Sequence, residues 1–162
     1  MLHRHGLEHR FVFVGDGPLA VWLKAACPDA VFCGNLAHRD VAAAMAAADI
    51  FLFPSATDAV GTVVLESQAS GIPALVSDRG GPSEQVVHGA TGYVCRAGHV
   101  DAFGARLIEL LRSATRRREM GKPARLSARQ RTWPAALQPL FDAWHDAAGG
   151  EVHVADAPRV AS

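Results

Sequence analysis

The sequence predicts an α/β fold with a mostly parallel sheet, and three observations carry that expectation. Short apolar runs recur along the chain, stretches with helical spacing separate them, and Gly, Pro or Asp punctuates most boundaries. Hydrophobic residues make up 49% of the 162 and charged residues 20%, enough apolar material for the core of one ordinary domain.

Each element has a local reason. Phe11–Val14 reads as a buried strand stopped by Gly15-Asp16-Gly17-Pro18, and Leu19–Ala26 as a short helix. Val31-Phe32-Cys33 is a second strand ending at Gly34, and Asp40–Ala48 an Ala-rich helix. Ile50–Phe53 is a third strand ended by Pro54-Ser55, after which Gly61 opens a helix running to about Ser70, capped by Gly71. Pro73–Val76 is a fourth strand, Gly80-Gly81-Pro82 turns into a short helix with Glu84, and Gly92–Cys95 is a last strand. Val100–Ser113 and Ala135–Ala147 space Phe103, Leu107, Leu110, Leu111 and Leu137, Leu140, Phe141, Trp144 as helix faces. Residues 1–10 are expected as a flexible terminus, 11–148 as the domain and 149–162 as a disordered tail.

Composition narrows the function. Lys and Arg number 16, as do Asp and Glu, so the formal net charge is zero. That argues against nucleic acid or an anionic membrane as the main partner. Arg116, Arg117 and Arg118 are expected on a solvated helix face. Cys27, Cys33 and Cys95 are odd in number and lack the close pairs of zinc sites, so no metal is expected and a reduced cytoplasmic setting is the simplest one. No apolar run approaches the about 20 residues of a membrane span.

Ligands of open parallel sheets collect beyond the carboxyl ends of the strands. The loops at that edge are Gly15–Pro18, Gly34–Arg39 and Pro54–Thr62, and the third is the most informative. Gly61 at a helix start lets a ligand approach the backbone. The amides of Thr62 to Leu65 favour phosphate. Glu66, a turn further in, suits two neighbouring hydroxyls such as those of a ribose, and Asp58 those of a second sugar-like group. Phosphates and hydroxyls together describe a nucleotide sugar. The plainer reading of both acids is a helix cap or a surface residue.

At this point the ordered motifs resemble a family. Asp58 and Glu66 with Gly61 between them, followed by Ala69–Pro73, are similar to the acid-x7-Glu signature of family 4 retaining glycosyltransferases of the GT-B fold. Phe11–Pro18, Phe32–Gly34, Ala48–Ser55, Ser77–Glu84 and Gly89–Val94 match successive segments of that family's C-terminal domain, over about Arg10 to Trp144. The resemblance implies a Rossmann-like parallel sheet with flanking helices. It implies transfer of a hexosyl group from a UDP- or GDP-hexose with retention, with no cofactor beyond that donor and no bound metal. Glu66 then holds the ribose, and Asp58, shorter than the usual Glu by roughly 1.5 Å, is the catalytic carboxylate facing the sugar. Val60, Gly61, Thr62, Val63, Gly15 and Gly17 meet the sugar and diphosphate, and Phe32, Cys33 and Gly34 the base.

The departures from the family pattern shape the remaining expectations. The family's acceptor-binding N-terminal domain and its first C-terminal strand, with a Gly-Arg…Lys loop, have no counterpart here. In the strand order 3-2-1-4-5-6 that strand is central. The sequence therefore predicts either a closed-up five-strand sheet or pairing with another chain. It also predicts a donor half that is inactive alone, with a missing N-terminal domain or a homodimer as partner, an unassigned acceptor, and membrane association only through the absent domain. A non-catalytic nucleotide-sugar-binding module and an inert remnant are the alternatives. Lys24 and Arg79 as diphosphate cations, His38 at the base pocket, and His3, His5 and His9 as metal ligands each compete with a plain surface role. Ser55 and Ser77 lack a nucleophile elbow, Gly15-x-Gly17 lacks a dinucleotide fingerprint, and Trp133 and Trp144 read as core or interface.

Overall fold

The computed structural model describes residues 2–131 and 133–147. The chain divides into two compact units, one through Ala128 and one from Arg129 onward. The first carries strands β1 (Val12–Phe13), β2 (Val31–Phe32), β3 (Phe51–Phe53), β4 (Ala74–Ser77) and β5 (Gly92–Cys95). With them are helices α1 (Ala20–Ala26), α2 (His38–Ala47), α3 (Thr62–Ala69), α4 (Val100–Arg112) and α5 (Ala114–Gln130), the last of which ends beyond Ala128. The expected tail at 149–162 lies outside the described residues.

All strand pairing is parallel: β1 with β2, and β3 with β4 with β5. The closed-up five-strand sheet does not form. β1 and β3 belong to separate sheets, and their outer edges carry no ladder among the described residues. A two-residue strand offers only a hydrogen bond or two, each worth about 1 kcal/mol net, too little to draw two sheets together.

The core follows from the two-residue period of a strand. Leu52, Leu75, Tyr93 and Cys95 pack on one face with Leu110 and Met120 from α4 and α5. Phe51, Phe53, Ala74, Val76 and Val94 pack on the other with Val64 from α3 and Val86. Every residue of β4 is buried because it is covered on both faces and paired on both edges.

Two expectations are corrected. α5 runs over Ala114–Gln130 where only a helical face at Arg116–Arg118 was expected, without bounds, because its buried face is a single large apolar residue, Met120, beside Gly121 and Ala124, which leaves no hydrophobic period among so many arginines. Gly121 is where the backbone of Gly71 passes, leaving no room for a Cβ. The second correction concerns Arg116 and Arg117, which are not a solvated face. Arg117 donates to the carbonyls of Leu110 (2.7 Å) and Leu111 (3.2 Å) at the end of α4 and pairs with Asp49 at 3.1 Å. Arg116 donates to the Gly89 carbonyl at 2.9 Å. Beside it the Tyr93 hydroxyl donates to Glu109, which with Arg106 at 2.8 Å holds that carboxyl below its usual range.

Residues 2–5, at the terminus expected as flexible, form a 3-10 turn with Leu2 buried. In the second unit α6 (Trp133–Ala147) starts two residues before the expected Ala135, and its Leu137, Leu140, Phe141 and Trp144 are exposed. Among the described residues no helix is long and apolar enough to cross a membrane.

Candidate functional site

The loop from Pro54 to Gly61 leaves β3 at its carboxyl end and runs into α3, so the β3–β4–β5 sheet fixes its origin. Within it the carboxylate of Asp58 folds back: Oδ1 accepts the backbone N–H of Val60 at 3.0 Å and of Gly61 at 2.5 Å. Gly61 then adopts a left-handed conformation, φ +72°, as the N-cap of α3. A Cβ there would stand 2.8 Å from the Cα of Pro82, so the close approach that Gly61 permits is one by the protein's own backbone.

A second segment clasps this loop. Gly81 donates its N–H to the Asp58 carbonyl at 3.1 Å, and its missing side chain leaves room for the Ala59 backbone. Gln85 Nε2 donates to the Val60 carbonyl at 3.1 Å, and Ser77 Oγ donates to the carbonyl of Ser55. Gly80–Pro82 and Gln85 were legible only as a turn and a short helix. Their role depends on a partner about twenty residues away in the chain, and no local pattern carries that information.

At the head of α3, Val60 and Gly61 spend their amides on Asp58. The amides of Thr62 and Val63 have no intrachain acceptor among the described residues. These are the donors an anion would meet. One turn further, Glu66 is half-buried and lines a cleft of about 230 Å³ with His38, Ala42, Met45, Ala69 and Ser70, where α2 meets α3. His38, exposed at the start of α2, thus shares a cleft with Glu66.

The remaining candidates are set apart from that cleft. Neither Asp58 nor Phe32, Cys33, Gly34, Gly15 or Gly17 lines it. Gly15 and Gly34 are joined directly, N–H to carbonyl at 2.7 Å, tying the first two strand-end loops together. Phe32 stacks on Phe13 with ring centroids 4.9 Å apart, and the Lys24 ammonium lies 5.8 Å from the Phe32 centroid, so this cation faces a ring. Arg79 stays exposed on the loop after β4. Among the described residues no three His, Cys, Asp or Glu side chains converge as a metal site.

The fold is thus an α/β domain whose parallel sheet presents at its carboxyl edge, where ligands of such sheets collect, a helix with amides unengaged among the described residues and a carboxylate one turn in. Comparison with known proteins then gives the family. The model described as "Glycosyl transferases group 1" matches residues 6–127, and the chain belongs to that family. It is 36% identical over 133 residues to a GDP-mannose-dependent alpha-mannosyltransferase of Mycolicibacterium smegmatis, covering 82% of this chain and 35% of that protein. It is 33% identical over 148 residues to the sulfoquinovosyl transferase of Arabidopsis thaliana, covering 87% and 29%. The chain spans about a third of the length of these curated relatives.

The fold is shared with solved structures of low identity. Sucrose-phosphate synthase from Thermosynechococcus elongatus superposes with a TM-score of 0.74 at 21% identity, over 86% of this chain and 39% of that one. HepE of Anabaena, solved with UDP and glucose, gives 0.69 at 20%, over 84% and 40%. The expected architecture, parallel strands with flanking helices as in the C-terminal half of a GT-B protein, is the one found.

Proposed function

We propose that this chain carries the donor half of a retaining hexosyltransferase, binding a nucleoside diphosphate hexose through Glu66 and the head of α3. The observation that carries the reading is the pairing, on one helix, of the unengaged Thr62 and Val63 amides with a half-buried Glu66 lining a cleft. Amides favour the diphosphate, and a carboxylate suits adjacent ribose hydroxyls. Phe32–Gly34 then takes the base, and Gly15 and Gly17 meet the sugar and diphosphate.

In this reading the leaving diphosphate is stabilised by fixed backbone dipoles without a metal. Asp58 faces the donor sugar with Oδ2 while Oδ1 keeps the loop in shape. Acceptor contacts and any membrane association are assigned to polypeptide beyond this chain, such as an N-terminal domain, and a homodimer is the alternative way to complete the sheet. All three cysteines are free, which supports a cytoplasmic setting.

One observation favours a second reading, a nucleotide-sugar-binding module without catalysis: the Asp58 carboxylate is already committed to two backbone amides. Donor hydrolysis by the chain, lost in Asp58→Asn, would exclude that module.

Calorimetric titration with UDP, GDP and ADP tests the main reading. One nucleotide is expected to bind, and Glu66→Ala is expected to weaken it by about 1.5–3 kcal/mol, the worth of hydrogen bonds to a charged group. A folded chain that binds none, or a variant that binds as tightly, overturns it.

A further inference from the structure

We propose that Gln85 is a positioning residue for the loop at the head of α3, and that buried Gln68 holds Gln85 in place. The role assigned to the loop rests on the donor-site reading above. The 3-10 turn Gly81–Gln85 grips the loop at two carbonyls: Gly81 N–H donates to Asp58 and Gln85 Nε2 donates to Val60, each at 3.1 Å. The Val60 carbonyl and the Gly61 N–H belong to one planar peptide unit and point to opposite sides of it. Gln85 therefore holds one end of the plane whose other end is held by Asp58. With that plane fixed, the left-handed turn at Gly61 determines where the Thr62 and Val63 amides aim.

Gln85 is anchored in turn from inside the protein. Gln68, fully buried and two residues beyond Glu66, donates Nε2 to the Gln85 carbonyl at 2.7 Å and to Thr91 Oγ1 at 3.4 Å. Thr91 Oγ1 also accepts the Val87 N–H at 2.9 Å, which ties in the next segment. The path closes a ring in which α3 starts at the loop and carries the glutamine that secures the loop's brace. Gln68 Oε1 is buried without a donor among the described residues, so the side chain acts through its N–H groups alone.

Gln85→Met tests this, because it keeps the length of the side chain and removes the amide without adding charge. The full chain is titrated with UDP and UMP, GDP and GMP, and ADP and AMP. For the pair that binds, Gln85→Met is expected to weaken the diphosphate about tenfold and leave the monophosphate within about twofold, whereas Glu66→Ala weakens both. Equal losses for both ligands, or none, overturn a positioning role for the donor.

Amide hydrogen exchange supplies a readout that needs no ligand. Exchange at Val60 and Gly61, whose amides are held by Asp58, is expected to quicken about tenfold in Gln85→Met with β4 unchanged, and Gln68→Met to reproduce that change. Unchanged exchange at Val60 and Gly61 overturns the brace whatever the titrations give. If wild-type chain binds none of the six nucleotides while exchange responds as expected, the donor-site reading fails and the brace stands.

Discussion

The β1–β2 ribbon and the β3–β4–β5 sheet are both parallel and both end in loops that carry candidate site residues, yet they are built to different standards. β4 is covered on both faces and paired on both edges, so all four of its residues are buried. β1 pairs on one edge only, and Val12 is 54% exposed. The loops inherit the difference. Asp58–Gly61 is held by Gly81, Gln85 and its own carboxylate, whereas the ends of β1 and β2 are joined by the Gly15–Gly34 and Cys33–Phe13 hydrogen bonds and the Phe13–Phe32 stack. In the proposed donor site, the loop assigned to the phosphates is thus held at several points and the loops assigned to the base are lightly supported.

The largest expected effect comes from removing core volume on either side of that contrast. Leu75→Ala in β4 is expected to cost about 2–5 kcal/mol by urea unfolding, because nothing can fill the space among Tyr93, Cys95, Leu110 and Met120. Val12→Ala in β1 is expected to cost less than about 0.5 kcal/mol. Comparable costs would mean that β1 is covered in solution, as intermolecular pairing along its free edge requires.

A smaller effect separates the two sets of loop glycines. Gly81→Ala places a methyl group against the Ala59 backbone and is expected to destabilise by about 1–3 kcal/mol, weakening nucleotide binding with it. Gly17→Ala has open space around its new Cβ and is expected to stay within about 0.5 kcal/mol of wild type. A tolerated Gly81→Ala would show that the clasp yields easily and would remove the contrast.

The smallest perturbation is chemical labelling. Cys27 and Cys33 are half-buried beside the ribbon, while Cys95 lies within β5, where burial pushes its thiol above the ordinary range. The thiolate is the reactive form, so alkylation followed from pH 7 to 9 is expected to modify Cys27 and Cys33 at least about tenfold faster than Cys95. A reversed order would place the more open region in the β3–β4–β5 sheet.

Much of this molecule was legible in its residues. Alternating apolar runs with glycine and proline stops located all five strands and placed β5 at its observed bounds, since strand periodicity and turn chemistry are local properties. The helix opened by Gly61, and the placing of Glu66 on it, rest on the same kind of signal. The bounds of α5 escaped because the face it buries holds one large apolar residue, Met120, beside Gly121 and Ala124, and the fit of Gly121 against Gly71 is a matter of backbone approach that leaves no hydrophobic period. The ion-paired Arg116 and Arg117 escaped because a charge pattern says nothing of which carbonyls and carboxylates it will meet.

The sequence by itself determined the α/β class, the order of elements, and the family membership that the comparisons show, because each is written in short segments with their own punctuation. Only the tertiary structure decided that the sheet stays split between β1 and β3, and that Asp58 spends one oxygen on its own loop. It alone brought Gln85 and Gly81 to the head of α3 and set Glu66 opposite His38. Those outcomes depend on edges, carbonyls and side chains from distant parts of the chain competing for one another, and that competition is settled only when the elements pack.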